Sequence, residues 1–108
     1  MIYEMRIYHA MPGKLPALLQ RFETITCRKF EEHGIKVIGY WTTVVGESNQ
    51  QLIYICQYED LNARERAWAA FSADPEWQQK RAESERDGPL VHHITNMLLR
   101  PTSFSPLQ

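Results

Sequence analysis

An excess of either charge is missing from this sequence: 12 Lys and Arg stand against 13 Asp and Glu, a formal net charge of -1. Phosphate backbones and anionic membranes need a basic field, so neither nucleic acid nor membrane is expected as a partner. Cysteine is scarce too. Cys27 and Cys56 lie far apart without CxxC spacing, which excludes a disulfide framework and a cysteine-based zinc site. No apolar run approaches the length of a membrane span, and a strand pattern starting at Ile2 predicts no signal or transit peptide. The cytoplasm is the expected location. GxSxG, P-loop and GxGxxG patterns are absent, as is any Ser-His-Asp ordering, so hydrolase and nucleotide-binding functions find no support.

What is present is one domain's worth of alternating secondary structure. A chain of 108 residues accommodates a single hydrophobic core, and 44% apolar residues with 11% aromatics can fill it. Ile2 to His9 alternates as a strand, with Tyr3, Met5 and Ile7 on one side and Glu4, Arg6 and Tyr8 on the other. Pro12-Gly13 breaks it, and Leu15, Leu18, Leu19, Phe22, Ile25 and Phe30 then recur at helical spacing as far as Gly34. Lys36 to Val45 and Leu52 to Tyr58 predict a hairpin around Gly46-Glu47-Ser48-Asn49-Gln50. A second helical region follows Leu61 with Asn62 as its N-cap and Ala67, Trp68 and Phe71 inward. It restarts at Asp74-Pro75 with Trp77 on its inner face. Leu90 to Leu99 is the last strand. Residues 1–100 thus form the domain, and 101–108 an extended tail whose Phe104 and Leu107 predict docking on the domain or across a dimer.

The order β-α-β-β-α-β is that of an α+β, ferredoxin-like fold: a four-stranded antiparallel sheet with helices on one face. One layer of helices leaves the second face bare. Depending on register it carries Trp41 or Tyr40, Tyr54 or Cys56, and Leu98 or Leu99. Such an area predicts a second copy packed sheet to sheet, a homodimer.

Several segments carry a resemblance. Tyr3-Glu4-Met5-Arg6-Ile7-Tyr8 followed by Pro12-Gly13-Lys14, then Gly39-Tyr40-Trp41-Thr42-Thr43 with Gly46 and Asn49, resembles the NIPSNAP family. Tyr58-Glu59-Asp60-Leu61 with Arg64, Asp74-Pro75-Glu76-Trp77, Leu99-Arg100-Pro101 and Phe104-Ser105-Pro106-Leu107 extend the resemblance to the whole chain. It implies a dimeric α/β barrel, in which two ferredoxin-like halves join their sheets. About activity it implies little, since NIPSNAP proteins have no settled biochemical function and no accepted catalytic motif. The catalytic residues are therefore unknown at this level.

Glu4, Arg6 and Tyr8 are the polar constellation that stands out, because alternate strand residues share a face about 7 Å apart. They read first as a structural ion pair with the Tyr8 hydroxyl donating nearby, and second as a site for a small polar or carboxylate ligand. His92 and His93 are neighbours in a strand, so a regular conformation sends them to opposite faces and no metal site is expected. His92 then stands as a pocket acid or base, and a single axial histidine for haem stays open. His9 and His33 read as solvated. Trp41 reads equally as pocket wall and as dimer interface, whereas helical spacing makes Trp68 and Trp77 core. The expectation is a homodimer binding a small organic molecule or a protein partner without a cofactor; the alternative is a cofactor-independent monooxygenase or isomerase using the same pocket.

Overall fold

The computed structural model describes residues 1–108. Strand β1 (Ile2–Ala10) leads into a helical stretch of α1 (Leu15–Arg21), a π-helical turn (Phe22–Thr26) and α2 (Cys27–Glu32). β2 (Lys36–Thr42) and β3 (Gln51–Tyr58) form the hairpin, and α3 (Leu61–Ala73) and α4 (Pro75–Ser84) precede β4 (Val91–Leu99). The strands run in the order β2-β3-β1-β4, all antiparallel. This is the ferredoxin-like arrangement, with β1 and β3 at the centre.

Register decides what each face carries. Glu4 lies opposite Cys56 and Leu98, Arg6 opposite Tyr54 and Asn96, and Tyr8 opposite Leu52 and Ile94. Glu4, Tyr8, Leu52, Tyr54, Cys56 and Tyr58 are buried beneath the helices. There an aromatic cluster closes the core: Phe30 and Phe71 stand 4.9 Å apart between ring centres, Phe71 and Trp77 4.6 Å, and Phe30 and Trp68 5.4 Å. The face away from the helices carries Tyr3, itself buried, with Met5, Ile7 and His9, paired with Gln57, Ile55, Ile53 and Gln51 on one side and with Leu99, Met97, Thr95 and His93 on the other. Trp41 joins it opposite Ile53. Its indole lies so close over Gly39 that a Cβ there would come within 2.6 Å of the ring, and only glycine fits beneath it. Of the residues that register had left open, Trp41 and Leu99 face outward, while Tyr40, Tyr54 and Cys56 belong to the helix side.

Three local expectations need correction. β2 ends at Thr42 rather than Val45, because Thr42–Leu52 is the last cross-strand pair and Val44 and Val45 lie in the loop, each 93% exposed. Asp60, not Asn62, caps α3; its carboxylate accepts from the Ala63 amide at 2.7 Å. His33 is not solvated: its Nε2 lies 2.7 Å from Asp74 Oδ2, and Lys29 Nζ reaches the same oxygen at 2.9 Å. Asp74 also caps α4 through the Trp77 amide, at 3.0 Å. Asp60→Ala removes only a cap and is expected to cost about 1 kcal/mol in denaturant melts. Asp74→Ala, which also takes one of three carboxylates from Lys29 and the ring partner of His33, should lower the melting temperature further. In the tail, the carbonyl of Gln108 accepts a hydrogen bond from the Tyr3 hydroxyl at 2.6 Å, while Phe104 is 86% exposed.

Candidate functional site

Glu4 is fully buried, and its carboxylate organises the polar interior. Arg64 grips both oxygens, Nε to Oε1 and Nη2 to Oε2 at 3.0 Å each. Arg6 Nη1 at 3.0 Å and Asn96 Nδ2 at 2.8 Å also reach Oε2, and the Tyr58 hydroxyl donates to Oε1 at 2.9 Å. Burial alone would raise this carboxyl's pKa. The hydrogen bonds from Arg64, Asn96 and Tyr58, with the charge of Arg6, outweigh it and hold the group down to about 2. The ion pair expected between Glu4 and Arg6 is therefore present, within a larger cluster in which one carboxylate meets two guanidinium groups. Trp68 braces it from above: its Nε1 donates to the Tyr58 hydroxyl at 2.6 Å, and the Arg6 guanidinium sits 4.4 Å from its ring centre.

From Arg6 a hydrogen-bonded path runs along the sheet. Arg6 Nε donates to the Tyr54 hydroxyl at 2.9 Å, and Tyr54 donates to Tyr8 at 2.9 Å, while Arg6 Nη2 also donates to Tyr8, at 3.3 Å. Tyr8 thus accepts twice rather than donating to the ion pair. Tyr54 is completely buried and Arg6 can only donate, so Tyr8 is the one acceptor for the Tyr54 proton. The Tyr8 proton remains uncommitted.

Tyr8 lines a cavity of about 390 Å³ between the sheet and the helices. Phe22, Phe30, Phe71 and Trp77 form its aromatic walls, Arg21, Arg81 and Glu85 its polar side, and His92, His93 and Ile94 its margin on β4. The expected sequence candidates divide accordingly. Tyr8 and His92 reach the cavity, Glu4 and Arg6 stand behind it as the support of Tyr8, and Trp41 lies on the opposite face of the sheet. His92 and His93 do not follow regular alternation. The register slips between His9 and Ala10, leaving His92 as an extra residue in β4, and the two Nδ1 atoms approach to 2.6 Å. His9 stacks on His93 at 3.9 Å and bonds to Thr95, so it too is engaged rather than solvated. Desolvation, then the proximity of His9 and His92, lowers the pKa of His93.

Sequence reasoning left Asn96 and Arg21 unmarked, and had Tyr58 and Arg64 within the family resemblance but not as partners of Glu4. Period-two parity along β3 and β4 would have placed Tyr58 and Asn96 beside Glu4 once register was known. Arg21 had its own signal, a cation three residues after Leu18 and four before Ile25, on the apolar stripe of the first helix, as Lys29 is four residues after Ile25. Glu32, His33 and Asp74 also converge within metal-ligand distance of one another. The ammonium of Lys29, 3.0 Å from Glu32 and 2.9 Å from Asp74, already supplies the positive charge there.

A four-stranded antiparallel sheet in the order β2-β3-β1-β4, with its polar cluster and cavity beneath one layer of helices, defines a ferredoxin-like α+β protein. Solved structures place it more closely. The chain is similar to an uncharacterized NIPSNAP-like domain protein from Burkholderia xenovorans, at 35% identity over 97% of this chain and 88% of that one, TM-score 0.85. It is also similar to a NIPSNAP family protein with unknown function from Agrobacterium tumefaciens, at 30% identity over 100% of this chain and 94% of that one, TM-score 0.86. The NIPSNAP family profile matches residues 3–106, and the chain belongs to that family. A putative antibiotic biosynthesis monooxygenase from Nitrosomonas europaea shares the fold alone, at 9% identity over 94% of this chain and 98% of that one, TM-score 0.63. No curated protein matches the chain.

Proposed function

We propose that this NIPSNAP protein is a homodimer that binds a small organic molecule in the cavity between its sheet and its helices. The observation that carries the reading is the cavity itself: about 390 Å³, walled by aromatic rings and provided with a phenol whose proton has no partner inside the protein. Volume and lining suit a compact organic ligand. The second copy belongs to the opposite face, whose residues from Tyr3 to His9, Gln51 to Gln57 and His93 to Leu99 include no Lys, Arg, Asp or Glu at the outward positions. Sheet-to-sheet packing of two such faces gives the dimeric α/β barrel. Two free thiols, with Cys56 buried and its pKa pushed up to about 11 chiefly by that burial, suit a cytoplasmic setting.

Binding is tested by a nuclear magnetic resonance screen of small aromatic compounds against the labelled protein. Occupants of the cavity are expected to compete for one site per chain and to move the ring signals of Phe71 and Trp77. If no compound does so at millimolar concentration, the reading fails.

Cofactor-independent catalysis of the monooxygenase or isomerase type is the second reading, and the Tyr8 hydroxyl favours it. A proton poised at a cavity wall can be given to a ligand oxygen, with Arg6 beside it to stabilise the phenolate left behind. Tyr8→Phe keeps the shape and removes that proton. Turnover of a bound compound, followed as oxygen uptake or as deuterium incorporation from heavy water, should then stop. Recovery of every ligand unchanged from the wild type would leave binding as the function.

A further inference from the structure

We infer that the cavity selects an aromatic carboxylate, with Arg21 as the anchor of its anionic end. The inference rests on the binding reading above and adds the chemical class of the ligand.

Arg21 is unusual for an arginine in being 94% buried, since only 6% of its surface is exposed. Its Nη1 donates to Ser84 Oγ at 3.1 Å, and its nearest carboxylate oxygen, Glu85 Oε2, is 3.9 Å away. Its Nε has no partner at all. A buried N–H left unpaired is costly, and a buried guanidinium without a close counter-ion costs more. The contrast within the same molecule is direct: Arg6 and Arg64 each meet Glu4 at 3.0 Å, so this interior can satisfy an arginine. Burial correspondingly depresses the pKa of Arg21. An anion entering the cavity would supply the counter-charge that the guanidinium lacks at hydrogen-bond distance.

The surroundings limit what that anion can be. Arg21 and Arg81 supply two positive charges to the lining, and Glu85 offsets one, which suits a ligand of single negative charge better than a phosphate dianion. Glu85 is itself engaged, 3.5 Å from Arg81 Nε and accepting from the Leu90 amide at 3.3 Å. The imidazoles of His92 and His93 stand at the margin and add no fixed negative charge. Beyond the anchor the walls are flat rings, with the Arg21 guanidinium 5.8 Å from the Trp77 ring centre. A planar hydrocarbon body can lie against the wall that Phe22, Phe71 and Trp77 form while its carboxylate meets Arg21. Arg21 is also the residue immediately before the π-helical turn, where Thr26 Oγ1 donates to the Arg21 carbonyl at 3.4 Å. This places the side chain at the point where the helix widens over the cavity.

The test uses the full chain with two probes of nearly equal shape, 2-naphthoate and uncharged 2-naphthamide, by isothermal titration. The wild type is expected to bind the carboxylate at one per chain and at least tenfold more tightly than the amide. Arg21→Gln should erase that preference while still binding the amide, and Arg28→Gln, on an exposed arginine of the same helical stretch, should keep it. The Nε–H resonance of Arg21 in the wild type should shift with naphthoate and stay in place with naphthamide, which gives a readout that no folding defect can confound. Equal affinity for the two probes overturns the inference and leaves the cavity as a neutral binding site. Failure of both to bind overturns it together with the reading beneath it, and a preference that survives in Arg21→Gln overturns the choice of Arg21.

Discussion

Glu4→Gln is expected to destabilise the protein by roughly 3 to 5 kcal/mol, the range for breaking a buried ion pair from one side. The variant leaves Arg6 and Arg64 without their shared counter-ion, and both are largely buried, with side-chain exposures of 12% and 19%. Arg6→Met should cost less, because Arg64, Asn96 and Tyr58 still saturate the carboxylate. Denaturant melts of the two single variants and the double variant measure the coupling. The same carboxylate sets a pH dependence. Its pKa falls from 4.5 to about 2 on folding. A depressed carboxyl contributes its stability fully above the unfolded value and loses it as pH falls through the folded one. The loss should therefore run from about pH 4.5 to about pH 2 and amount to about 3 kcal/mol, and Glu4→Gln should remove that part of the acid transition. Four proteins of equal stability at pH 7, with identical acid limbs, would show that the cluster does not hold the fold.

A charge at the middle of the open sheet face should convert a dimer into monomers. Met5, Ile7, Ile53 and Ile55 occupy the two central strands, and around them Trp41, Met97 and Leu99 are 49%, 50% and 38% exposed. An interface covering this face would exceed ~1,500 Å² in total, within the range of stable dimers. Light scattering at micromolar concentration should give twice the 12.7 kDa chain mass. Ile55→Glu should return it to one chain mass, since a glutamate buried between the two faces would find no counter-charge on either. Circular dichroism of the variant should keep the wild-type helix and strand content, because the helix-side core is untouched. A wild-type protein that scatters as a monomer would refute the barrel.

The sequence by itself determined the element order, and with it the ferredoxin-like class, because the period of apolar residues changes cleanly from two to 3.6 and back at Pro12-Gly13, Gly34 and Gly88-Pro89. It also determined that Glu4, Arg6 and Tyr8 share a face, a fact of strand geometry that needs no partner. It could not say which face. Only the register of β1 against β3 and β4 brought Arg64, Tyr58 and Asn96 onto Glu4, across 60, 54 and 92 residues of chain. Nor could spacing foresee the bulge that turns His92 and His93 toward each other, since a single extra residue in one strand obeys its neighbour's register rather than its own pattern. Arg21 shows the division most sharply. Its place on the apolar stripe of the helix was legible, but the tertiary structure alone left its nearest carboxylate oxygen 3.9 Å away and set it beside a cavity, because pairing depends on what other elements deliver to the same place.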